Sequence, residues 1–179
     1  MARTTFQGPV RSLGGIYQQG PATVVEITTS TTLSPEAHGG RIVSVGGYLA
    51  AALTLTLPAI NVSTNSTTSG PGQNPSTANN EGVVYTIWVP TTISTSSLKI
   101  GTDGTDKYVG SVLSIDTDSS GAAVGFTAGA TNDFINLNGT TTGGVAGTWI
   151  QIVAIAANKY MVTGVVNGSG TVATPFADS

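Results

Sequence analysis

Residues 147–164 have the sequence GTWIQIVAIAANKYMVTG, and this stretch decides the fold class that we expect for the chain. β-Branched and aromatic side chains, which favour strands, are frequent on both sides of Ala157-Asn158. A short turn between two such runs is typical of a β-hairpin. We therefore predict a hairpin here, with Trp149 as its largest core side chain.

Similar short runs recur along most of the sequence, and clusters of Gly, Asn, Asp, Pro or Ser separate most of them. The predicted strands are 23–29, 41–45, 49–57, 83–89, 93–100, 107–115, 122–127, 133–137, 148–156 and 159–166. In the third run, Leu53, Leu55 and Leu57 alternate with threonines, which places three leucines on one face. Many short strands with turns between them predict an all-β fold, with a jelly-roll or β-sandwich body over 23–166.

The composition favours the same fold class. Val, Ile and Thr account for 59 residues, whereas the straight-chain helix formers Leu, Met, Glu, Gln, Lys and Arg account for 25. Hydrophobic residues make up 39% and charged residues only 8%, a combination that favours folding over disorder. Because the sequence has no cysteine, it offers no disulfide and no thiolate zinc site, and we expect stability to come from core packing and association.

Charge and hydropathy argue against two classes of partner. The net charge of −3 opposes binding to nucleic acid, which is itself negatively charged. The most hydrophobic stretch, 43–60, is interrupted by Gly46, Gly47 and Pro58, so no insertion into a membrane is predicted.

Residues 1–12 contain no apolar stretch of the kind found in signal peptides, so export by that route is not expected.

Three segments differ from the predicted strands. Residues 1–22 are rich in Gly and Pro and are expected to form an extended N-terminal arm. Arg3 and Arg11 give this arm a charge of +2, beside −5 in the rest of the chain, and this contrast favours docking on another surface. Residues 61–82 predict a long exposed loop, and residues 167–179 predict a C-terminal tail.

We expect the two terminal segments to contact another protein surface or a neighbouring subunit. The predicted contact residues are Arg3, Phe6, Pro9, Val10, Arg11, Ile16 and Phe176. Phe176 is the one large aromatic side chain of the tail, which suits either an arm anchored in a neighbour or a frayed end. The 61–82 loop is likewise either a mobile surface loop or a projection that a neighbouring subunit orders.

Residue types that carry chemistry are sparse. His38, the single histidine, lies in a turn-rich connection and is expected to be solvated. The run 116–121 matches the first half of a calcium-binding loop, but Thr127 stands where the closing carboxylate is required, so we predict a β-turn instead. The run 103–107 predicts a hairpin turn. No catalytic, cofactor-binding or metal-binding residue is predicted, and we do not expect an enzyme.

Tyrosine and tryptophan residues are scattered along the sequence. Such side chains form a sugar-binding platform when they lie together on a surface, but in strand-like runs they are more often core residues. We therefore expect core positions for most of them. They are Tyr17, Tyr48, Tyr85, Trp88, Tyr108, Trp149 and Tyr160.

Three parts of the sequence carry a resemblance to one family. They are the opening ARTTFQGPVRS at 2–12, a middle part with TLTLP at 54–58, GVVYTIWVPTTI at 82–93 and SLKI at 97–100, and a close with GTWI at 147–150, YMVTG at 160–164 and TPF at 174–176. Together they resemble the capsid decoration, or cement, proteins of tailed bacteriophages, including phages of cyanobacteria and other aquatic hosts. The likeness extends over most of the chain, although each motif is short.

This resemblance implies a small jelly-roll or β-sandwich that forms a homo-oligomer, often a trimer, on the outer surface of the virion capsid. The major capsid protein would be its partner, and no cofactor would be needed. Binding to the assembled lattice but not to separated subunits would shift the equilibrium toward the intact shell.

Two other classes of function remain alternatives. A phage tail-fibre or receptor-binding β module has a similar Thr-, Gly- and Asn-rich composition, but its discriminating feature, a fibrous repeat or a coiled-coil segment, does not occur in the sequence. A hydrolytic β-sandwich enzyme would need paired carboxylates in a cleft, and the sequence does not indicate which of the nine acidic residues would pair.

Overall fold

The structure is a computed structural model, and it describes residues 23–62, 80–118 and 121–179. The predicted N-terminal arm, 1–22, lies outside the described residues, and so does most of the predicted long loop, 63–79.

β-Strands dominate the described residues, and a single one-turn helix accompanies them. In chain order the elements are β1 (Val24–Glu26), β2 (Thr31–Thr32), α1 (Pro35–His38), β3 (Ile42–Ser44), β4 (Leu53–Thr56), β5 (Val84–Trp88), β6 (Leu98–Gly101), β7 (Lys107–Asp116), β8 (Ala123–Thr127), β9 (Phe134–Leu137), β10 (Trp149–Ala156), β11 (Lys159–Gly168) and β12 (Phe176–Ala177). The predicted all-β fold class is confirmed.

Each predicted run contains a strand or most of one, whereas three short elements were not predicted. These are β2, β12 and α1, which are too short to show a periodic pattern of apolar residues. The helix has recognisable local signals, because Pro35 occupies its first turn and the Ser34 side chain accepts a hydrogen bond from the Ala37 N–H.

The first seven strands alternate between two sheets. One sheet has seven strands in the order β1-β3-β5-β10-β11-β7-β8, and the other has five in the order β12-β9-β6-β4-β2. Between β1 and β3 the chain passes through β2 in the other sheet, and the same pattern continues up to β6. The pairs formed in this way, β1 with β3, β2 with β4, β3 with β5 and β4 with β6, are all parallel. Later strands add antiparallel pairs such as β10 with β11 and β6 with β9, so both sheets are mixed.

Both sheets contribute to one hydrophobic core. Leu53, Leu55 and Leu57 are all nearly inaccessible to solvent, as their alternation predicts. Burying a leucine side chain contributes about 1.5–3 kcal/mol to the stability of the fold. The largest fully buried side chains are Tyr85, Tyr108 and Tyr160.

Buried tyrosine hydroxyls connect the seven-stranded sheet to other parts of the chain. Tyr108 of β7 donates a 3.0 Å hydrogen bond to the carbonyl of Ile100 in β6, which belongs to the five-stranded sheet. Tyr160 of β11 donates a 2.6 Å hydrogen bond to the carbonyl of Pro58, just after β4. These bonds satisfy polar groups at the junction of the two sheets, where burial without a partner would be costly.

The predicted hairpin over 147–164 is confirmed. β10 and β11 pair antiparallel, and Asn158 in the turn has a φ of 60°, a left-handed conformation that asparagine tolerates. The position predicted for Trp149 is wrong, because its side chain is 37% exposed and Ile150 is the buried neighbour. Trp149 lies on the opposite face of the strand from the core, since side chains alternate along a strand.

The segment predicted as a C-terminal tail carries parts of two strands. β11 continues to Gly168, and β12 pairs with β9 through Phe176 and Ile135. The Phe176 ring is buried in the core of its own chain, 6.5 Å from the Tyr108 ring between centroids. This burial corrects the prediction that Phe176 contacts a neighbouring subunit, because its apolar surface is already covered.

The C-terminal residue is also held in place. Ser179 donates a 2.8 Å hydrogen bond from its N–H to one carboxylate oxygen of Asp133, and Lys107 forms a 2.8 Å salt bridge with the other. Burial disfavours the charged form of Asp133, but these hydrogen bonds outweigh burial and hold the pKa of its carboxyl below the usual range.

The run 103–107 is a turn, but it does not form the predicted hairpin. The Asp103 side chain accepts hydrogen bonds from the N–H groups of Thr105 and Asp106, which is the local geometry of an Asx turn. The turn leads from β6 to β7, and these strands belong to different sheets. The turn was therefore predictable from local sequence, whereas the sheet to which β7 belongs was not.

The Asn80 side chain links the two ends of the long connection between β4 and β5. The Asn80 side chain accepts a 2.8 Å hydrogen bond from the Asn61 N–H and donates one of 2.9 Å to the Ala59 carbonyl. Asp106 adds a bond by accepting the Ile60 N–H at 2.9 Å. The ends of this connection are thereby attached to the body of the protein, beside the β6–β7 turn.

A glycine in β7 provides a test of the sheet geometry. Gly110 has a φ of 105°, and a Cβ atom there would collide with the carbonyl oxygen of Val162 in β11. We expect Gly110→Ala to lower the free energy of unfolding by roughly 1–3 kcal/mol. Gly125→Ala in the adjacent strand is the matched control, since a Cβ atom there meets open space. Urea unfolding of both variants measures the difference, and equal stabilities would contradict the described pairing of β7 with β11.

Candidate functional site

The seven-stranded sheet has one face that points away from the core, and we call this the outer face. We describe its residues in rows, in which each residue is paired in register with the next one on the neighbouring strand. The first row runs straight across the sheet. The row consists of Glu26, Ser44, Trp88, Trp149, Val165 and Leu113. Two tryptophans therefore stand side by side near its middle, each more than one-third exposed.

Two further rows extend the outer face along the strands. The second row consists of Val24, Ile42, Thr86, Gln151 and Thr163. The third row consists of Val84, Val153, Met161 and Val109. Hydroxyl and amide groups of the second row thus separate the tryptophans from an apolar band, in which Met161 is 40% exposed.

Charged side chains lie only at the margins of these rows. Glu26 is on the edge strand β1, and Lys159 is at the opposite end of the strands, where β11 begins. Lys107 pairs with Lys159 in the register, but its ammonium group already binds Asp133 and the Gly104 carbonyl. The interior of the outer face is consequently uncharged.

The five-stranded sheet provides a comparison within the same chain. The side of it that faces away from the core has a row formed by Thr54, Lys99 and Asn136. These are residue types that water solvates well, whereas Trp, Val, Leu and Met are not. The outer face of the seven-stranded sheet is therefore more apolar than a solvated sheet surface of this protein.

A broad, largely apolar surface with an aromatic pair and a charged margin has the composition of a protein-binding surface. The cores of protein interfaces are enriched in aromatic residues and methionine and depleted in charged residues. Burial of such a surface is driven by removal of apolar area from water, and aromatic anchors supply much of the binding energy. The outer face is thus the candidate functional site.

The sequence contained a signal for this surface that the strand prediction did not use. From Trp149 to Ile155, six of the seven residues are apolar, and only Gln151 interrupts the run. Continuous apolar runs are typical of strands that are covered on both faces, whereas alternation is typical of strands with one solvated face. The expectation that Trp88 and Trp149 are core residues was wrong because only one side of the sheet faces the core.

The predicted contact residues are not brought together by the described structure. Six of them, Arg3, Phe6, Pro9, Val10, Arg11 and Ile16, lie outside the described residues. Phe176 belongs to the core, as described above. None of the predicted contact residues that the structure describes lies on the outer face.

His38 is not the solvated residue that the sequence predicted. Its side chain is buried at the end of α1, where Nδ1 accepts a 2.9 Å hydrogen bond from the Ser34 N–H. Burial lowers the pKa of the imidazole below its usual value, and the positive charge of Arg41 acts in the same direction. The histidine therefore stabilises a local turn in its neutral form.

The aspartates of the suspected calcium loop accept hydrogen bonds from the backbone. Asp116 accepts from the Asp118 N–H at 3.0 Å, and Asp118 accepts from the Gly170 N–H at 2.7 Å. Residues 119–120 lie outside the described residues. Across the part of the chain that the structure describes, no group of three or more His, Cys, Asp or Glu residues is placed to hold a metal ion.

Another aspartate, Asp106, is buried beside the turn after β6. Burial raises the pKa of its carboxyl, although the hydrogen bond from Ile60 opposes this effect. Because Asp106 bonds to the Ile60 backbone, its role is to hold the start of the long connection.

Among the described residues, no helix has the length and apolar character that a membrane span requires.

Comparison of the chain with protein-family models, curated proteins and solved structures finds no match.

The buried histidine predicts a pH dependence of stability. Since its pKa is lower in the folded than in the unfolded state, the unfolded state binds the extra proton as pH falls below about 6.5, and stability decreases. We expect the melting temperature to fall between pH 7.5 and pH 5.5, and to fall less in His38→Asn, whose amide oxygen still accepts the Ser34 N–H. Calorimetry at both pH values measures this, and an identical decrease in the two proteins would show that His38 does not cause it.

A second prediction concerns the loop that contains Asp116. Because both aspartates already accept backbone N–H groups and Thr127 lacks a carboxylate, we expect chelators to leave the melting temperature unchanged. Melting with and without EDTA provides the measurement. A decrease of more than about 5 °C, on the order of 1–2 kcal/mol for a domain of this size, would demonstrate a structural ion and contradict this assignment.

Proposed function

We propose that this protein is a structural virion component, a decoration or cement protein that binds the outer surface of an assembled phage capsid and stabilises the shell. The observation that carries the assembly part of this proposal is the outer face, an uncharged and largely apolar surface several strands wide. The resemblance of the sequence to phage decoration proteins supplies the class of partner. The proposal assigns the protein no enzymatic activity, cofactor, nucleic acid or membrane.

The finer architecture belongs to this proposal. We take the two sheets to be the layers of a β-sandwich, because residues from both sheets form one core cluster. A jelly roll is built from antiparallel strands, whereas the first six strands here form parallel pairs. The β-sandwich is therefore the better description.

Capsid stabilisation has a simple thermodynamic basis. A protein that binds the assembled lattice but not the separated capsid subunits favours the lattice by mass action. Many modest interfaces then add up over the shell. Broad apolar contacts suit this role, since their strength depends little on ionic strength.

We assign attachment to the N-terminal segment 1–22 and self-association, as a trimer, to the body. Arg3 and Arg11 give the segment a charge opposite to that of the remaining chain. Phe6, Val10 and Ile16 supply apolar side chains that bind by burial. The major capsid protein is the proposed partner, and the site of action is the outside of the capsid after synthesis in the host cytoplasm.

A receptor-binding β module is the second candidate, and the paired tryptophans favour it. Indole rings beside hydroxyl and amide groups suit sugar rings. Ser44 pairs with Trp88 in the register, and Thr86 and Gln151 lie two residues from Trp88 and Trp149 along the same strands. Mass spectrometry of separated capsids and tails distinguishes the candidates. Presence of the chain on capsids supports the decoration protein, and presence only on tails would overturn it.

The attachment segment can be tested with two single substitutions. A buried phenylalanine contributes about 1.5–3 kcal/mol, whereas an exposed ion pair contributes about 0–1 kcal/mol. We therefore expect Phe6→Ala to weaken binding to capsids stripped of this protein by roughly 10- to 100-fold, and Arg3→Ala by no more than about fivefold at moderate salt. Bound copies are counted after sedimentation of the capsids. Unchanged binding by Phe6→Ala would contradict attachment through the apolar side chains of this segment.

A further inference from the structure

We infer that the outer face is the surface through which copies of this chain associate with one another. The inference rests on the self-association included in the proposed function, and it names both the surface and its occupant, a second copy of the chain. It is carried by the extent of the face, its uncharged interior and the placement of its two marginal charges.

The extent of the outer face matches what a subunit interface needs. Across the strands, the first row spans five inter-strand spacings of about 4.8 Å each. Along the strands, Val165 and Lys159 are six residues apart, with a rise of about 3.3 Å per residue. The face thus fits within roughly 24 Å by 20 Å and covers at most on the order of 500 Å² in projection, because β1 and β3 reach only the first two rows. Specific interfaces bury roughly 600–1,000 Å² of accessible area per partner, and relief from the side chains raises the accessible area above the projection.

The chemistry of the face suits an apolar protein surface. Trp88 and Trp149 lie midway across the strands in the first row, and aromatic anchors of this kind supply much of the binding energy of interfaces. Leu113 continues the apolar surface across the strands to β7, and Met161 continues it along β11 in the third row. Thr86 and Gln151 provide hydrogen-bonding groups between the apolar rows. This mixture resembles the inner part of an interface, in which a few polar groups pair within an apolar surrounding.

The two marginal charges make the face complementary to itself. Glu26 and Lys159 lie four strand spacings and six residues apart, at opposite corners and about 28 Å from each other. A second copy can therefore present Lys159 to Glu26 without bringing like charges together. In a trimer, the β1 side of one face meets the β11 side of the next around the ring, a head-to-tail contact that closes by rotation.

The same charges disfavour coverage by the N-terminal segment. That segment carries Arg3 and Arg11 and no acidic residue. The face offers it Glu26 alone, against Lys159 at the other margin, since Lys107 is already paired with Asp133. A second copy, which brings one charge of each sign, is the better match.

A matched pair of substitutions tests the inference in the full-length chain. Leu113→Lys places a charge on the outer face, whereas Val124→Lys places one on the neighbouring strand, on the other side of the sheet, and the two residues are 43% and 38% exposed. We expect wild type and Val124→Lys to have three times the chain mass of 17.9 kDa in sedimentation equilibrium. We expect Leu113→Lys to raise the dissociation constant at least tenfold.

A charge exchange provides a test that does not place a new charge among apolar residues. Glu26→Lys and Lys159→Glu should each weaken association severalfold at low salt, and the double variant should restore it. This pattern depends on contact between the two corners, because either residue acting only within its own chain would not show rescue in the association constant. Both positions are at strand margins, so these variants keep the inference testable if Leu113→Lys does not fold.

The possible outcomes separate this inference from the proposed function. Loss of the trimer in Leu113→Lys, with rescue in the double charge exchange, supports the inference whether or not the protein is found on capsids. A wild-type monomer, or an unchanged trimer in Leu113→Lys without charge rescue, overturns it. If the trimer persists while Leu113→Lys no longer binds stripped capsids, the face binds the shell instead, so the inference fails and the proposed function stands.

Discussion

One core is filled by two sheets at once, because the chain passes from one sheet to the other after nearly every strand. Each of the first six strands therefore has its sequence neighbours in the opposite sheet, and the pairs that these six strands form with one another join strands two apart along the chain. Parallel pairing follows directly, without the helices that usually connect parallel strands.

The passages between sheets bring backbone polar groups close to the core, and buried side chains satisfy several of them. Asp106 holds the backbone after β4, Tyr160 bonds to the Pro58 carbonyl, and Asp133 ties the C-terminal residue to Lys107. These residues look like candidates for chemistry when considered by type alone. Their partners are backbone groups and neighbouring side chains, so their role in the described structure is to stabilise the connections.

Local patterns in the sequence were sufficient for the longer strands and for the β10–β11 hairpin. The alternation of Leu53, Leu55 and Leu57 located a core face, and the runs around Ala157-Asn158 located β10 and β11. Sequence patterns could not give the parallel order of the sheets, because register with a distant strand has no local signal. The same limit explains the errors for Trp149 and Phe176, since which face of a strand meets the core depends on the sheet that packs against it. His38 was misplaced because the one-turn helix that buries it is too short to predict from periodicity.

The central claim is that the apolar outer face is covered when copies of the protein assemble. Hydroxyl-radical footprinting at high and low protein concentration tests this claim directly, because it reports the solvent exposure of Trp88, Trp149 and Met161 in the same sample as that of Tyr48. Tyr48 is 73% exposed, is not a member of the three rows and serves as the internal control. The account predicts that the three residues are protected at high concentration and become reactive on dilution, while Tyr48 reacts equally at both. Equal reactivity of all four residues at both concentrations would contradict it.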